Sequence, residues 1–198
     1  MTKYLFSRSM VSAAVMTAVV AVLAPGQSMA ATTTASCSTP VVSQAFLSWG
    51  DRNLYTPAPG VAPDSFYGAG WVLTNGATLK SEVLADGSIG LVLDLPPGSS
   101  ATSPVMCVES GEPYARMVTR MVGTTASSNA TTFYVTPAGS TKLGSGMPVL
   151  GGTQWAESPP DNVYPGSGSE DVYFTYKSNV KFGDLQVYNL FVDPHMKY

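Results

Sequence analysis

From residue 31 onward the hydrophobic positions fall in short alternating runs divided by Gly, Pro, Ser, Asn and Asp, and no run carries a capped helical stripe. The pattern predicts strands over 70–73, 78–84, 89–95, 105–108, 114–122, 131–136, 171–177 and 185–192. About eight antiparallel strands within one domain point to an all-β sandwich. The turns between them have a mechanism. Asn75-Gly76 and Asp86-Gly87 tolerate positive φ, and Pro96-Pro97-Gly98 cannot continue a central strand. The stretches 144–152 and 159–168 read as loops, the second long enough to carry function on a rigid scaffold.

Alternation also sorts side chains by face. In the run from Tyr114, the residues Ala115, Met117, Thr119 and Met121 should face the core, with Tyr114, Arg116, Val118 and Arg120 outside. Phe133 and Val135 should point inward, with Tyr134 outward. Val172, Phe174 and Tyr176 form the inward set of the next run, and Tyr173, Thr175 and Lys177 the outward set. Leu185 and Val187 oppose Gln186 and Tyr188. If these four strands share a sheet, one outer face collects Tyr114, Arg116, Arg120, Tyr134, Tyr173 and Tyr188, a surface suited to gripping a polar ligand.

The first 30 residues change the picture. A basic start (Lys3, Arg8), an apolar stretch over 10–24 and a polar end closing on Ser28, Met29 and Ala30 have the form of an export signal cleaved after Ala30. The apolar stretch is shorter than the roughly 20 residues that span a bilayer, so no stable membrane span is expected after cleavage. A single domain over 31–198 then remains, 168 residues long, secreted or in the cell envelope. Loss of Lys3 and Arg8 leaves eight basic against thirteen acidic residues, a formal net charge of −5, which disfavours nucleic-acid binding. In an oxidising compartment Cys37 and Cys107, an even pair with no Cys-x-x-Cys spacing, should form a disulfide.

Catalytic machinery is sparse. The single histidine, His195, lies in the tail, and no Gly-x-Ser-x-Gly elbow occurs. Paired carboxylates for glycoside hydrolysis would have to come from among Glu109, Glu112, Glu157, Glu170 and Asp171. Of the three tryptophans, Trp71 belongs in a strand core and Trp155 should be partly buried, while Trp49 serves equally well as core or as a sugar-stacking platform. Asn129-Ala130-Thr131 has the form of a glycosylation sequon and is read as a surface turn.

The segments Gly70-Trp71-Val72-Leu73, Asn75-Gly76-Ala77 and 99–107, with 46–55 and 185–194, resemble a group of secreted bacterial proteins of unassigned activity. Their more distant relatives are galactose-binding-like jelly rolls, including carbohydrate-binding modules. The resemblance spans 37–195 and implies a jelly-roll fold with a tilt toward carbohydrate. Such modules often hold a structural calcium through a Phe-Glu pair and an Asp-Asp pair. Phe66-Tyr67 and Tyr188-Asn189 stand there instead, so neither a metal nor another cofactor is expected. The expected function is non-catalytic binding of a polysaccharide or another envelope component through Tyr114, Arg116, Arg120, Tyr134 and Tyr173. The alternatives are a structural or protein-interaction role at the cell surface and, behind it, a secreted glycoside hydrolase or esterase.

Overall fold

A computed structural model describes residues 37, 41–109, 114–124, 128–163 and 168–193. The expectations for the export signal, His195, Glu112 and the side chain of Asn129 lie outside the described residues. The described chain is all-β apart from one 3-10 turn, Leu47–Trp49. No helix among these residues is long and apolar enough to cross a membrane.

In chain order the strands are β1 (Thr56–Pro57), β2 (Val61–Ala62), β3 (Ser65–Phe66), β4 (Val72–Thr74), β5 (Thr78–Val83), β6 (Ile89–Leu95), β7 (Ser100–Thr102), β8 (Met106–Glu109) and β9 (Tyr114–Val122). They continue as β10 (Ser128–Pro137), β11 (Ser145–Gly151), β12 (Ala156–Glu157), β13 (Asp161–Asn162), β14 (Ser169–Ser178) and β15 (Asp184–Asp193). A seven-stranded antiparallel sheet runs β12-β9-β15-β6-β5, with β1 on β15 and β13 on β9. A six-stranded sheet runs β11-β10-β14-β7-β4, with β8 on β14, and β2–β3 form a small hairpin. Together the sheets make a jelly-roll sandwich. Cys37 is bonded to Cys107 of β8, with Cα atoms 5.6 Å apart.

All eight expected strands are present, and the alternation within them explains the core. Leu93 and Leu95 of β6, Met117 and Met121 of β9, and Leu185 and Val187 of β15 are buried from one side. Phe133, Phe174 and Tyr176 meet them from the other sheet, with Trp71 stacked 6.2 Å from Tyr176 and edge-on to Phe66 at 4.8 Å. The Asn75-Gly76 turn takes φ of 53° and 91°, two successive left-handed residues closed by the Ala77 N–H on the Thr74 carbonyl at 3.1 Å, and hands the chain from β4 in one sheet to β5 in the other.

Two expectations are corrected. The stretch 144–152 is not a loop but contains β11, which pairs with β10 from Val135↔Ser145 to Ser128↔Gly151. It is the margin of its sheet, where Pro148 removes no needed ladder donor. And the four face-sorted strands do not share a sheet: β9 and β15 lie in one and β10 and β14 in the other.

The phase of β15 also breaks partway. Val187 pairs with Thr119 but Asn189 with Val118, so Tyr188 is the extra residue of a β-bulge. Beyond it Leu190 and Val192 take the inward positions opposite Met117 and Ala115, and Phe191 shares the outer face with Arg116. The Asn189 side chain repairs the ladder there, its Oδ1 accepting the Val118 N–H at 2.8 Å.

Candidate ligand-binding site

The outer face of the seven-stranded sheet carries both arginines of β9, four positions apart, and each is already partnered. Arg116 binds Asp51, reaches Glu157 through Nη2 at 2.6 Å, donates to the Tyr55 hydroxyl at 3.3 Å and to the Ser158 carbonyl at 3.5 Å, and lies 5.1 Å over the Phe46 ring. These partners belong to residues 43–55, whose ends pair at Ser43↔Tyr55, and to the β12 margin. Phe46, fully buried, packs edge-on to Tyr55 and to Phe191 at 4.9 and 5.8 Å. Burial pushes the Asp51 carboxyl up, but hydrogen bonds from Tyr55 and the Asn53 N–H, with the Arg116 charge, outweigh it and hold it below its ordinary value. Burial and the Asp51 hydrogen bond push the Tyr55 hydroxyl up to about 12. Arg116 is therefore a tether holding the 43–55 segment against β9 and β15, and its guanidinium is spent on protein groups.

Arg120 ends a polar row. Thr78, Asp94, Gln186 and Arg120 are in register across β5, β6, β15 and β9. Gln186 donates from Nε2 to Asp94 at 2.8 Å and to Glu82 at 3.1 Å, and its Oε1 accepts the Arg120 Nε–H at 2.9 Å. Arg120 Nη2 binds Glu82 at 2.9 Å, and Lys80 binds Asp94 at 2.7 Å. Asp94 and Gln186 are each 1% exposed, so the middle of the row is covered as well as paired.

Trp155 covers part of it. The Arg120 guanidinium carbon lies 4.3 Å from the Trp155 ring centroid, and the Tyr188 ring stands edge-on at 5.1 Å. Burial raises the Tyr188 hydroxyl, and the Trp49 indole beside it offsets part of that rise. Between the two tryptophans opens a cleft of about 320 Å³, lined also by Arg120, Gln154 and the Val83, Leu84 and Ala85 corner. Both indoles are half-buried. An indole face can cover the apolar face of a sugar ring while the Gln154 amide and the free edge of Arg120 meet its hydroxyls.

The five expected contact residues are thus not brought together. Arg116 and Arg120 share a face with Tyr114, which starts β9 beside Asn162 and Asp193. Tyr134 and Tyr173 lie on the outer face of the six-stranded sheet as diagonal neighbours, with Tyr134 opposite Thr175 and Tyr173 opposite Thr136. The Tyr134 ring lies so close over Gly146 that a Cβ there would meet its Cε1 at 2.6 Å. Of the expected contacts only Arg120 lines the tryptophan cleft. Gln154, Glu82 and Gln186 had no sequence signal, because what gathers them is cross-sheet register.

The carboxylates considered for catalysis are scattered. Glu157 is bound to Arg116, Glu109 accepts the Cys37 N–H at 2.9 Å, and Glu170 lines a separate, largely apolar cavity of about 500 Å³ with Val135, Met147, Val163 and Val172. Asp161, next to a residue lining that cavity, is pushed up to about 6 by burial. Among the described residues no three His, Cys, Asp or Glu gather to hold a metal ion.

No protein-family model and no curated relative matches the chain. Solved structures do resemble it. The family 6 carbohydrate-binding module from Clostridium cellulolyticum in complex with xylose is 17% identical, covers 60% of this chain and 88% of its own, and gives a TM-score of 0.41. The carbohydrate-binding module of Cellvibrio mixtus lichenase 5A in complex with cellotriose is 11% identical over 60% and 87% of the two chains, with a TM-score of 0.42. A Clostridium thermocellum structure pairing a carbohydrate-binding module with an endo-1,4-β-D-xylanase, complexed with xylohexaose, is 12% identical over 68% and 28%, at 0.45.

Proposed function

We propose that this chain is a non-catalytic carbohydrate-binding sandwich of the exported type, and that it takes its ligand in the Trp49–Trp155 cleft. One observation carries the reading: two half-buried indoles and a fixed guanidinium flank an open cleft on a sheet face. That combination offers apolar stacking and hydrogen bonding to the same sugar, without a nucleophile–base pair beside it. The Cys37–Cys107 disulfide accords with export, since such bonds persist in oxidising compartments.

The test is a glycan array, including cell-wall polysaccharides, followed by calorimetry with the best hit. Trp49→Ala and Trp155→Ala should each abolish or strongly weaken binding, and Tyr134→Ala should leave it unchanged. Loss of binding with Tyr134→Ala or Tyr173→Ala, but not with the tryptophan variants, would move the site to the six-stranded sheet. A blank array would remove the carbohydrate reading.

A further inference from the structure

We propose that Glu82 is the specificity-determining residue of the cleft: by holding Arg120 in an ion pair it restricts the site to uncharged glycans and excludes acidic ones. The inference rests on the carbohydrate reading above and names the ligand class of the same site.

Arginine on a binding face ordinarily suggests a carboxylate or phosphate ligand, because its planar fork meets both oxygens at once. Here one edge of the fork, Nε and Nη2, is already filled by protein groups. Nε is fixed on Gln186 at 2.9 Å and Nη2 on Glu82 at 2.9 Å, and the guanidinium carbon lies 4.3 Å over the Trp155 ring. Gln186 locks the arrangement, since it also donates to the other oxygen of Glu82 at 3.1 Å and is itself buried. Glu82 therefore cannot swing away without breaking two contacts. An acidic sugar would have to displace it or sit beside it.

The surrounding field argues the same way. The ion pairs of this sheet and its flanking segments bring three cations, Lys80, Arg116 and Arg120, against five carboxylates, Asp51, Glu82, Asp94, Glu157 and Asp184. In the row that holds Arg120, Glu82, Asp94 and Asp184 outnumber Lys80 and Arg120 by one charge, which disfavours an anion there. A neutral sugar needs no free charge. It can use the indole faces and the Gln154 amide, with Arg120 acting only as a hydrogen-bond donor.

The experiment compares neutral cell-wall polysaccharides with polygalacturonate, using wild type, Glu82→Gln and Glu82→Gln/Arg120→Gln, at low and high salt. Wild type should bind a neutral glycan with an affinity insensitive to salt and should not bind polygalacturonate. Glutamine at position 82 keeps an acceptor for Gln186 and drops the charge, so the single variant should remain folded. It should acquire polygalacturonate binding at least about tenfold above the detection limit that wild type does not reach, the scale of one charge-assisted contact, and the gain should fade at high salt. The double variant should lose that gain, which assigns it to Arg120. If wild type prefers polygalacturonate, or if Glu82→Gln gains nothing, the Glu82 proposal is overturned while loss of binding in Trp155→Ala keeps the cleft as the carbohydrate site. If wild type binds neither class, both readings fall together.

Discussion

The Trp155 indole donates to the Val83 carbonyl at 2.8 Å, although β12, which follows Trp155, and β5, which contains Val83, are opposite margins of one sheet. The bond closes a span over the strands between them and sets the indole on Arg120 and Tyr188. Trp155→Phe keeps an aromatic face and deletes the donor. Val83 is exposed enough for water to replace the lost partner, so the cost should be about 0.5–1 kcal/mol in urea unfolding. Trp155→Ala also removes both ring contacts and should cost about 2 kcal/mol. Carbohydrate affinity should follow the same order, with phenylalanine retaining part of it and alanine none. Equal losses for both variants would mean that ring position, fixed by the Val83 bond, matters more than ring area.

Arg116 is expected to behave as a structural residue. Replacing it with Leu leaves Asp51 and Glu157 facing each other with no cation between them. Arg116 and Asp51 are only 13% and 15% exposed, so the loss at neutral pH should be about 2–4 kcal/mol. The pH dependence gives a signature. Asp51 is held below its ordinary value in the folded wild type, so its contribution is complete above the unfolded carboxylate value and is lost as the pH falls through the folded one. In Arg116→Leu the sign reverses: protonation relieves the uncompensated carboxylates, and the variant should recover stability as the pH drops toward about 4. Thermal melts from pH 7 to 3 measure this. Parallel curves for the two proteins would contradict the tether.

Most of the fold was legible in the chain, because each buried strand writes its own period of two. Met117 and Met121, Phe133 and Val135, Leu185 and Val187 all face the core as alternation requires. Three things were not legible. β11 is written Ser145-Gly-Met-Pro-Val-Leu-Gly151, and two glycines and a proline read as a loop until the neighbouring β10 supplies the pairing. The bulge at Tyr188 resets the phase of β15 through a tertiary fit to β9 that no local pattern announces. Most consequential for function, alternation separates the two faces of a strand but says nothing about which sheet the strand joins. Arg120 and Tyr134 looked equivalent for that reason, whereas the fold places them on different sheets. Trp155 and Glu82 meet Arg120 only after the sheet has formed.

Asp161 should make the protein less stable as the pH rises through 6. Burial raises its carboxyl from 3.8 to about 6, so its folded state favours the proton. A raised carboxylate contributes fully below the unfolded value and loses that contribution as the pH climbs through the folded one. Between pH 4 and 6.5 the wild type should lose on the order of 1–2 kcal/mol from this group, allowing for partial solvent screening. Asp161→Asn cannot ionise and should be flat across that window, ending more stable than wild type at pH 7.5. Denaturant unfolding of both proteins at pH 4.5 and 7.5 decides it. Matching pH slopes would show that Asp161 is solvated well enough to titrate normally.

The disulfide should matter for stability and be silent for the ligand. Cys37 and Cys107 are 70 residues apart in sequence, and opening a loop of that size releases unfolded-chain entropy worth up to about 4 kcal/mol. Cys107 lies on β8, which among the described residues pairs with β14 of the six-stranded sheet, through Cys107↔Asp171 and its neighbours. The tryptophan cleft is built on the other sheet. Cys37→Ser/Cys107→Ser should therefore melt well below wild type, yet bind carbohydrate with unchanged affinity at a temperature where both proteins are folded. A parallel loss of affinity would mean that the strain of losing the staple crosses the core to β9 and β15, and the two sheets could no longer be treated as independent supports.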